Sequence, residues 1–402
     1  MPTIQKRGDT YRIRVSAGYD AAGKQIMRST TWRPAPGMTQ KQIDKELERQ
    51  AVLFEDRVKS GQYMDSSVRF QDFAERWFTD YGKKHLKQTT YRRYEYLAKR
   101  IYPALGHIRL DKLQPHHLLE FYKQLEEPGQ KKSNKKGDET PLLLSARTIR
   151  AHHGLISSIL EKAVQWGVLN DNPARRVDAP KAKRKPILFL DDKQTITFMQ
   201  ALEKETLEYR VIFTILILTG MRRGELLGLE WPDIDFENST IHIRRASQYV
   251  VGAGTYTDTP KTEQSKRALV IPPELLDLLR QYRKEQIERR LKLGDKWDTA
   301  WSDHPRLFTQ WNGKPMFLNS PYKELQKILE QAGLPKVSLH SLRHTNATLL
   351  IGSGLDVRSV SGRLGHSQTS TTLNIYSEYL QSANAAASEM LANTLLRQKT
   401  TG

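Results

Sequence analysis

At 402 residues the chain is long enough for two or three domains that each bury a core, and it contains no cysteine, which excludes thiolate nucleophiles, cysteine-ligated zinc and iron–sulfur clusters and fits a reducing compartment. Lysine and arginine number 64 against 45 acids, a formal charge of +19, so a polyanionic partner is expected, the alternative being a solvated basic surface without a ligand. The segments 1–60, 61–180 and 181–402 are each net basic, so one charged tail does not account for the excess, and the lack of a long apolar run or leader-like N-terminus predicts a cytoplasmic protein with no membrane partner.

In chain order, residues 10–33 alternate as strands do, with Tyr11, Ile13 and Val15 on one face and Arg12 and Arg14 on the other, a polar turn at 20–24, and a second extended run from Gln25 to Trp32. Thr39 and Gln42 have capping-box spacing, and Ile43, Leu47, Ala51, Phe54 and Val58 continue as a helical stripe to Gly61. A small sheet on one helix follows, its outward face expected to carry Arg12, Arg14 and Arg28. Such a face can enter the major groove of DNA, or be an ordinary solvated surface.

From Phe70 to Trp166 the periodicity is helical: Phe70, Phe73, Trp77 and Phe78, then Tyr91, Tyr94 and Leu97, a third helix after Pro115, and a fourth capped by Ser145 and running through Ile149, Leu155, Ile159 and Ala163. Residues 129–138, rich in lysine and glycine, read as a loop. Arg175, Arg176, Lys181, Lys183, Arg184 and Lys185 then stand among Pro173, Pro180 and Pro186, a basic linker suited to lie along phosphates or simply to be solvated. Beyond Asp191 the pattern is mixed. An almost wholly apolar helix spans Val211 to Leu218, strands are expected at 240–244 and 267–271 around a polar turn region, and the rest is mainly helical.

Breaking a phosphodiester requires a nucleophile, neutralisation of the charge on a pentavalent phosphorane, and a proton for the leaving 5′ oxygen. No Asp/Glu cluster has metal-ligand spacing, so cationic side chains are the expected neutralisers, with neither metal nor cofactor. The candidates are Thr219-Gly220-Met221-Arg222-Arg223-Gly224-Glu225, Pro260-Lys261-Thr262, His340-Ser341-Leu342-Arg343-His344-Thr345, and Leu364-Gly365-His366 followed by Tyr376. His340 and His344 are four apart, a spacing that also suits zinc, but no glutamate follows His340 and Arg343 between them would repel a cation.

In this order and spacing the motifs resemble the tyrosine recombinases. With the N-terminal sheet, helical middle and basic linker, the chain resembles the three-domain integrases of phages and conjugative transposons, most strongly from Leu218 to Tyr376. The resemblance implies a multidomain α+β protein: an arm-site DNA-binding domain at 1–62, an all-α core-binding domain at 63–173, a linker at 174–190, and at 191–402 a mainly α catalytic domain with a small antiparallel sheet. It further implies that Arg222 and Arg343 grip non-bridging oxygens, for which a planar guanidinium is suited, with Arg223 the neighbouring rival. Lys261 is then the general acid, with Lys266 and Lys314 as alternatives. His340 and His366 donate to phosphate or exchange a proton, and Tyr376 is the nucleophile, with Tyr379 its rival.

Glu225 either holds the first arginine or is a surface acid, and His344 is a supporting residue. Ser341 stands where the family often has Asp. The alanine-rich 382–396 segment reads as a helix, docking in cis or on a neighbour. The partners implied are double-stranded DNA at core and arm sites, three further copies in a tetramer, and a DNA-bending protein or excisionase. A type IB topoisomerase and a non-cutting architectural DNA-binding protein remain the alternatives to an integrase.

Overall fold

The computed structural model describes residues 2–19, 22–59, 68–128, 143–181, 188–250, 252, 254–258, 266–365 and 373. It divides into two compact units, Met1–Arg184 and Lys185–Gly402.

The first unit begins with a three-stranded antiparallel sheet in the order β1 (Thr3–Arg7), β2 (Thr10–Tyr19), β3 (Gln25–Trp32), followed by α1 (Gln40–Lys59). The alternation along β2 sends Tyr11, Ile13 and Val15 inward, where they form one cluster with Leu47, Ala51, Phe54 and Val58 of α1. β1 is an addition that the sequence reading lacks: all five of its residues are exposed, so it carries no apolar signal and exists by pairing with β2.

The strand register corrects the expected basic face. Directly opposed residues share a face; Arg12 stands opposite Gln5 and Thr31, and Arg14 opposite Thr3 and Ser29, whereas Arg28 stands opposite Val15. Arg28 therefore belongs to the face that packs on α1, away from Arg12 and Arg14. The register slips between Ser16 and Tyr19, and a slip of one residue turns a whole strand over.

The helical part runs α2 (Phe70–Trp77), a π turn (Phe78–Gly82), α3 (Lys83–His85), α4 (Gln88–Leu105), α5 (Pro115–Glu126) and α6 (Ala146–Gln165). Phe70, Phe73, Trp77, Leu97, Ile101, Phe121, Leu155 and Ile159 share its core. Helix α6 starts where Ser145 Oγ accepts the Thr148 N–H at 3.3 Å, and α5 starts with Pro at its first position, where a missing N–H costs nothing.

The basic run does not begin as free linker. Pro173–Arg176 forms a 3₁₀ turn capped by Asn172, and Ala174 and Val177 are buried in the helical core. Arg175 pairs with Glu161 at 2.6 Å and Arg176 pairs with Asp171. Lys183, Arg184 and Lys185, and the segments 129–138 and 382–396 that were expected to form a loop and a helix, lie outside the described residues.

The second unit is built around α8 (Leu207–Thr219), buried on nearly all sides because Val211, Ile212, Phe213, Ile215, Leu216 and Ile217 leave it no polar face. Around it stand α7 (Asp192–Leu202), α9 (Arg223–Leu226), α10 (Pro273–Leu293), α11 (Ser320–Gln331) and α12 (Leu339–Gly352), with α13 (Val357–Leu364) packed on α12. A second antiparallel sheet has the order β4 (Ile234–Asp235), β5 (Thr240–Ile243), β8 (Arg267–Val270). Between β5 and β8, where only a polar turn region was expected, the chain forms a separate hairpin, β6 (Ala246–Val250) with β7 (Gly254–Asp258). No described helix is long and apolar enough to cross a membrane.

Candidate active site

The site is assembled where α8 ends. Gly220 takes the left-handed conformation, φ +61°, which breaks the helix and turns the chain so that Arg222 opens the short helix α9. Glu225, three residues on, fixes that arginine at two points: its Oε2 accepts the Arg222 backbone N–H at 3.0 Å and its Oε1 accepts Arg222 Nη1 at 2.7 Å. Arg222 Nη2 donates to the carbonyl of Gly365 at 3.1 Å. Glu225 is buried, 4% exposed, so it is not the surface acid that its place in the sequence equally allowed. Burial pushes its pKa up, but Arg267 and then Arg222 outweigh burial and hold the carboxyl below its ordinary value.

Helix α12 supplies the next group. Ser338 caps it, accepting the Ser341 N–H at 3.1 Å, while Ser341 Oγ accepts the Ser338 N–H at 3.2 Å. The serine that stands where the resembling family often has Asp is thus spent on the helix start. One turn further, Arg343 is 1% exposed; its Nη1 donates to Gly220 O at 2.9 Å and its Nη2 to Leu364 O at 2.8 Å. Its Nε has no partner among the described residues. Burial, and then the charge of Arg222, push its pKa down to about 9, which leaves it a cation at neutral pH.

His340 and His344 meet edge to face, ring centroids 4.9 Å apart. Burial lowers the pKa of both, with Arg343 and Arg222 adding for His340, and His340 and Arg343 adding for His344, which reaches about 4. His340 keeps an exposed edge, and with Met221, Arg222, Arg223, Gly224, Tyr322, Ser338 and Leu339 it lines a cleft of about 390 Å³. Among the described residues no group of three His, Asp or Glu is placed to hold a metal.

The structure therefore brings Arg222, Glu225, His340, Arg343 and His344 together. Arg223 lines the same cleft but is tied to Asn319 Oδ1 at 3.1 Å rather than to Glu225, and Lys314 pairs with Asp298 at 3.6 Å. Lys261, His366, Tyr376 and Tyr379 lie outside the described residues. Two arginines join the site that the sequence reading passed over. Arg267, the first residue of β8, reaches Glu225 Oε2 at 2.9 Å and Arg363 O at 2.8 Å; Arg363 reaches Leu218 O at 3.2 Å. Each lies more than 40 residues from the arginine motif, so no local spacing marks them.

The model of the phage integrase family matches residues 188–382, and that of the phage integrase N-terminal SAM-like domain matches residues 69–125. The tyrosine recombinase XerC-like protein of Caldanaerobacter subterraneus subsp. tengcongensis is 27% identical over 408 residues, 96% of this chain and 97% of that protein. The ICEBs1 integrase of Bacillus subtilis is 25% identical over 91% of this chain and 92% of its own. The Tn1549 transposon integrase in complex with transposon right end DNA shares the fold with a TM-score of 0.63, at 23% identity over 81% of this chain and 99% of that one.

Proposed function

We propose that this chain, which belongs to the phage integrase family of tyrosine recombinases, is the integrase and excisionase of a mobile element, with Tyr376 as nucleophile. It is a site-specific DNA recombinase, an enzyme that cleaves and rejoins DNA. The observation that carries the residue roles is the convergence of α8's end, α9 and α12, which sets Arg222, held by Glu225, and His340 on one cleft and ties the buried Arg343 to the Gly220 carbonyl that precedes them.

In the proposed reaction the phenolic oxygen of Tyr376 attacks phosphorus and the bond to the 5′ oxygen breaks, leaving a 3′-phosphotyrosyl link and a free 5′ hydroxyl. Lys261 gives its proton to that departing oxygen. Arg222 and Arg343 neutralise the charge that develops on the non-bridging oxygens: Arg222 from the cleft wall, and Arg343 through its charge, since it is 1% exposed and its terminal nitrogens hold main-chain carbonyls. His340, whose pKa is lowered by burial and two arginines, is a neutral imidazole at pH 7 and can take the tyrosine's proton. His366 is a second donor to phosphate, and His344 supports the helix face beneath. The phosphate ester energy is kept in the tyrosyl link, so the 5′ hydroxyl of a partner duplex reverses the step without ATP.

Four copies exchange strands in pairs through a Holliday junction. Residues 63–173 and the catalytic residues from 191 each contact core-site DNA, with Lys183, Arg184 and Lys185 along its backbone and Arg175 and Arg176, though paired with Glu161 and Asp171, still exposed enough to join them, while Arg12 and Arg14 at 1–62 meet arm sites. A DNA-bending protein or excisionase sets direction, and the reaction takes place in the bacterial cytoplasm. The test is a nicked suicide substrate from the element's end. Wild type and Tyr379→Phe are expected to trap a covalent protein–DNA adduct and Tyr376→Phe none; an adduct with Tyr376→Phe refutes the nucleophile, and none with wild type refutes cutting.

A further inference from the structure

One acceptor of the Arg222 guanidinium, the Glu225 carboxylate, is bonded by a second arginine, Arg267, which also bonds the chain two residues before the other acceptor, the Gly365 carbonyl. Arg267 is almost fully enclosed, its side chain 8% exposed. Its Nη2 donates to Glu225 Oε2 at 2.9 Å, beside the Arg222 backbone N–H on the same oxygen. Its Nε donates to the carbonyl of Arg363 at 2.8 Å, at the end of α13 and two residues before Gly365. Its Nη1 lies 3.0 Å from where a Cβ on Gly365 would stand, so that backbone is in close contact with the guanidinium.

We infer that Arg267 is a positioning residue for strand cleavage: by occupying Glu225 Oε2 and the end of α13, it keeps Arg222 at the reacting phosphate. The inference rests on the reading of Arg222 as a phosphate-binding residue. Without Arg267, the Glu225 carboxylate loses its second cation, the one on Oε2. The planar fork of Arg222 can then close on both carboxylate oxygens as a bidentate pair, the favoured geometry for arginine and carboxylate. Such a pair cancels the charge that the phosphate needs and draws the guanidinium off the Gly365 carbonyl. With Arg267 present, one buried carboxylate is shared by two guanidinium groups and the cluster keeps a net positive charge.

The experiment uses the full chain and two suicide substrates, one with an ordinary scissile phosphodiester and one with a methylphosphonate there, which is neutral and carries one negative charge fewer in the phosphorane, so that it needs less charge neutralisation. Arg267→Gln is expected to slow single-turnover cleavage of the ordinary substrate on the order of 100-fold, the loss typical of one misplaced transition-state donor, with DNA affinity within about threefold of wild type. On the methylphosphonate its deficit should shrink to a few-fold, as that of Arg222→Ala should. Arg267→Lys, whose ammonium reaches Glu225 but cannot also bond the Arg363 carbonyl, is expected to fall between and serves if the glutamine variant does not fold. Equal deficits of the Arg267 variants on both substrates, or cleavage at the wild-type rate, overturn the inference. If instead Arg222→Ala is not relieved by the methylphosphonate, it is the phosphate-binding reading of Arg222 that falls, and the role of Arg267 with it.

Discussion

Gly220→Ala tests whether the end of α8 is as tightly specified as the site requires. A Cβ there meets Leu364 Cδ2 at 2.5 Å and Asn346 Oδ1 at 2.6 Å, on a backbone with φ +61°. The left-handed conformation costs alanine about 1 kcal/mol, and forcing a methyl into packed surroundings about 1–3 kcal/mol more. Part of that second cost is the Asn346 Nδ2 bond to Ile217 O at 2.7 Å, which the displaced asparagine gives up. Gly333 provides the control, since its φ is +65° but nothing lies within 4 Å of its added Cβ; only the backbone cost applies. For a unit of this size 1 kcal/mol moves the melting temperature by roughly 2–4 °C. Calorimetry of the full chain should therefore show the affected transition lowered by roughly 5–15 °C in Gly220→Ala and by roughly 2–4 °C in Gly333→Ala. Because the Gly220 carbonyl holds Arg343 at 2.9 Å, the first variant should also cleave more slowly and the second should not. Equal melting shifts in the two would refute the packing argument.

On arm-site DNA, Arg12→Ala and Arg14→Ala should each reduce the slope of log affinity against log salt by about 0.9, the share of one phosphate contact, while Arg28→Ala, on the helix-packed face, leaves the slope unchanged; a loss in Arg28→Ala equal to the others would contradict the register. His344 makes stability pH-dependent. Its folded-state pKa of about 4 lies below the ordinary 6.5, so the unfolded chain binds the proton first. The contribution is complete above pH 6.5 and is lost as pH falls toward 4, up to roughly 3 kcal/mol. Denaturant titrations at pH 7 and 4.5 should differ less in His344→Gln than in wild type, and an unchanged difference would count against it. Arg306, 3% exposed, bonds Gly228 O at 2.7 Å and the Thr257 hydroxyl and faces Glu230 at 3.7 Å. Arg306→Met should cost about 3 kcal/mol by leaving buried acceptors and part of a carboxylate unpaired, measured as a drop in the denaturant midpoint.

Local chemistry made much of this molecule legible before any coordinates. Helix α8 could be placed because an apolar stretch with no polar face must be central, and the α1 stripe and the β2 alternation are periodicities that belong to a single segment. Glu225 beside Arg222, and His340 beside Arg343, are likewise neighbours within one turn, so their spacing already put them together. The features that escaped share another property. Strand β1 has no buried residue of its own and exists only through its partner, and the β6–β7 hairpin sits in a polar stretch whose pairing no periodicity announces. Arg175 and Arg176 look like free linker charge until Glu161 and Asp171 are brought beside them.

Arg28 is the sharpest case. Alternation along β2 sorts Arg12 from Ile13 without reference to anything else, but the face of a residue on β3 depends on how β3 registers against β2, and that register slips between Ser16 and Tyr19. The same holds for Arg267, which joins Glu225 and Arg363 across a hairpin and two helices. Sequence periodicity determined which residues of α1, β2 and α8 face inward, because there the pattern is a property of one helix or one strand. Only the tertiary structure decided which elements share a face and which arginines share a carboxylate, because those distances are set by pairing and packing between segments far apart in the chain.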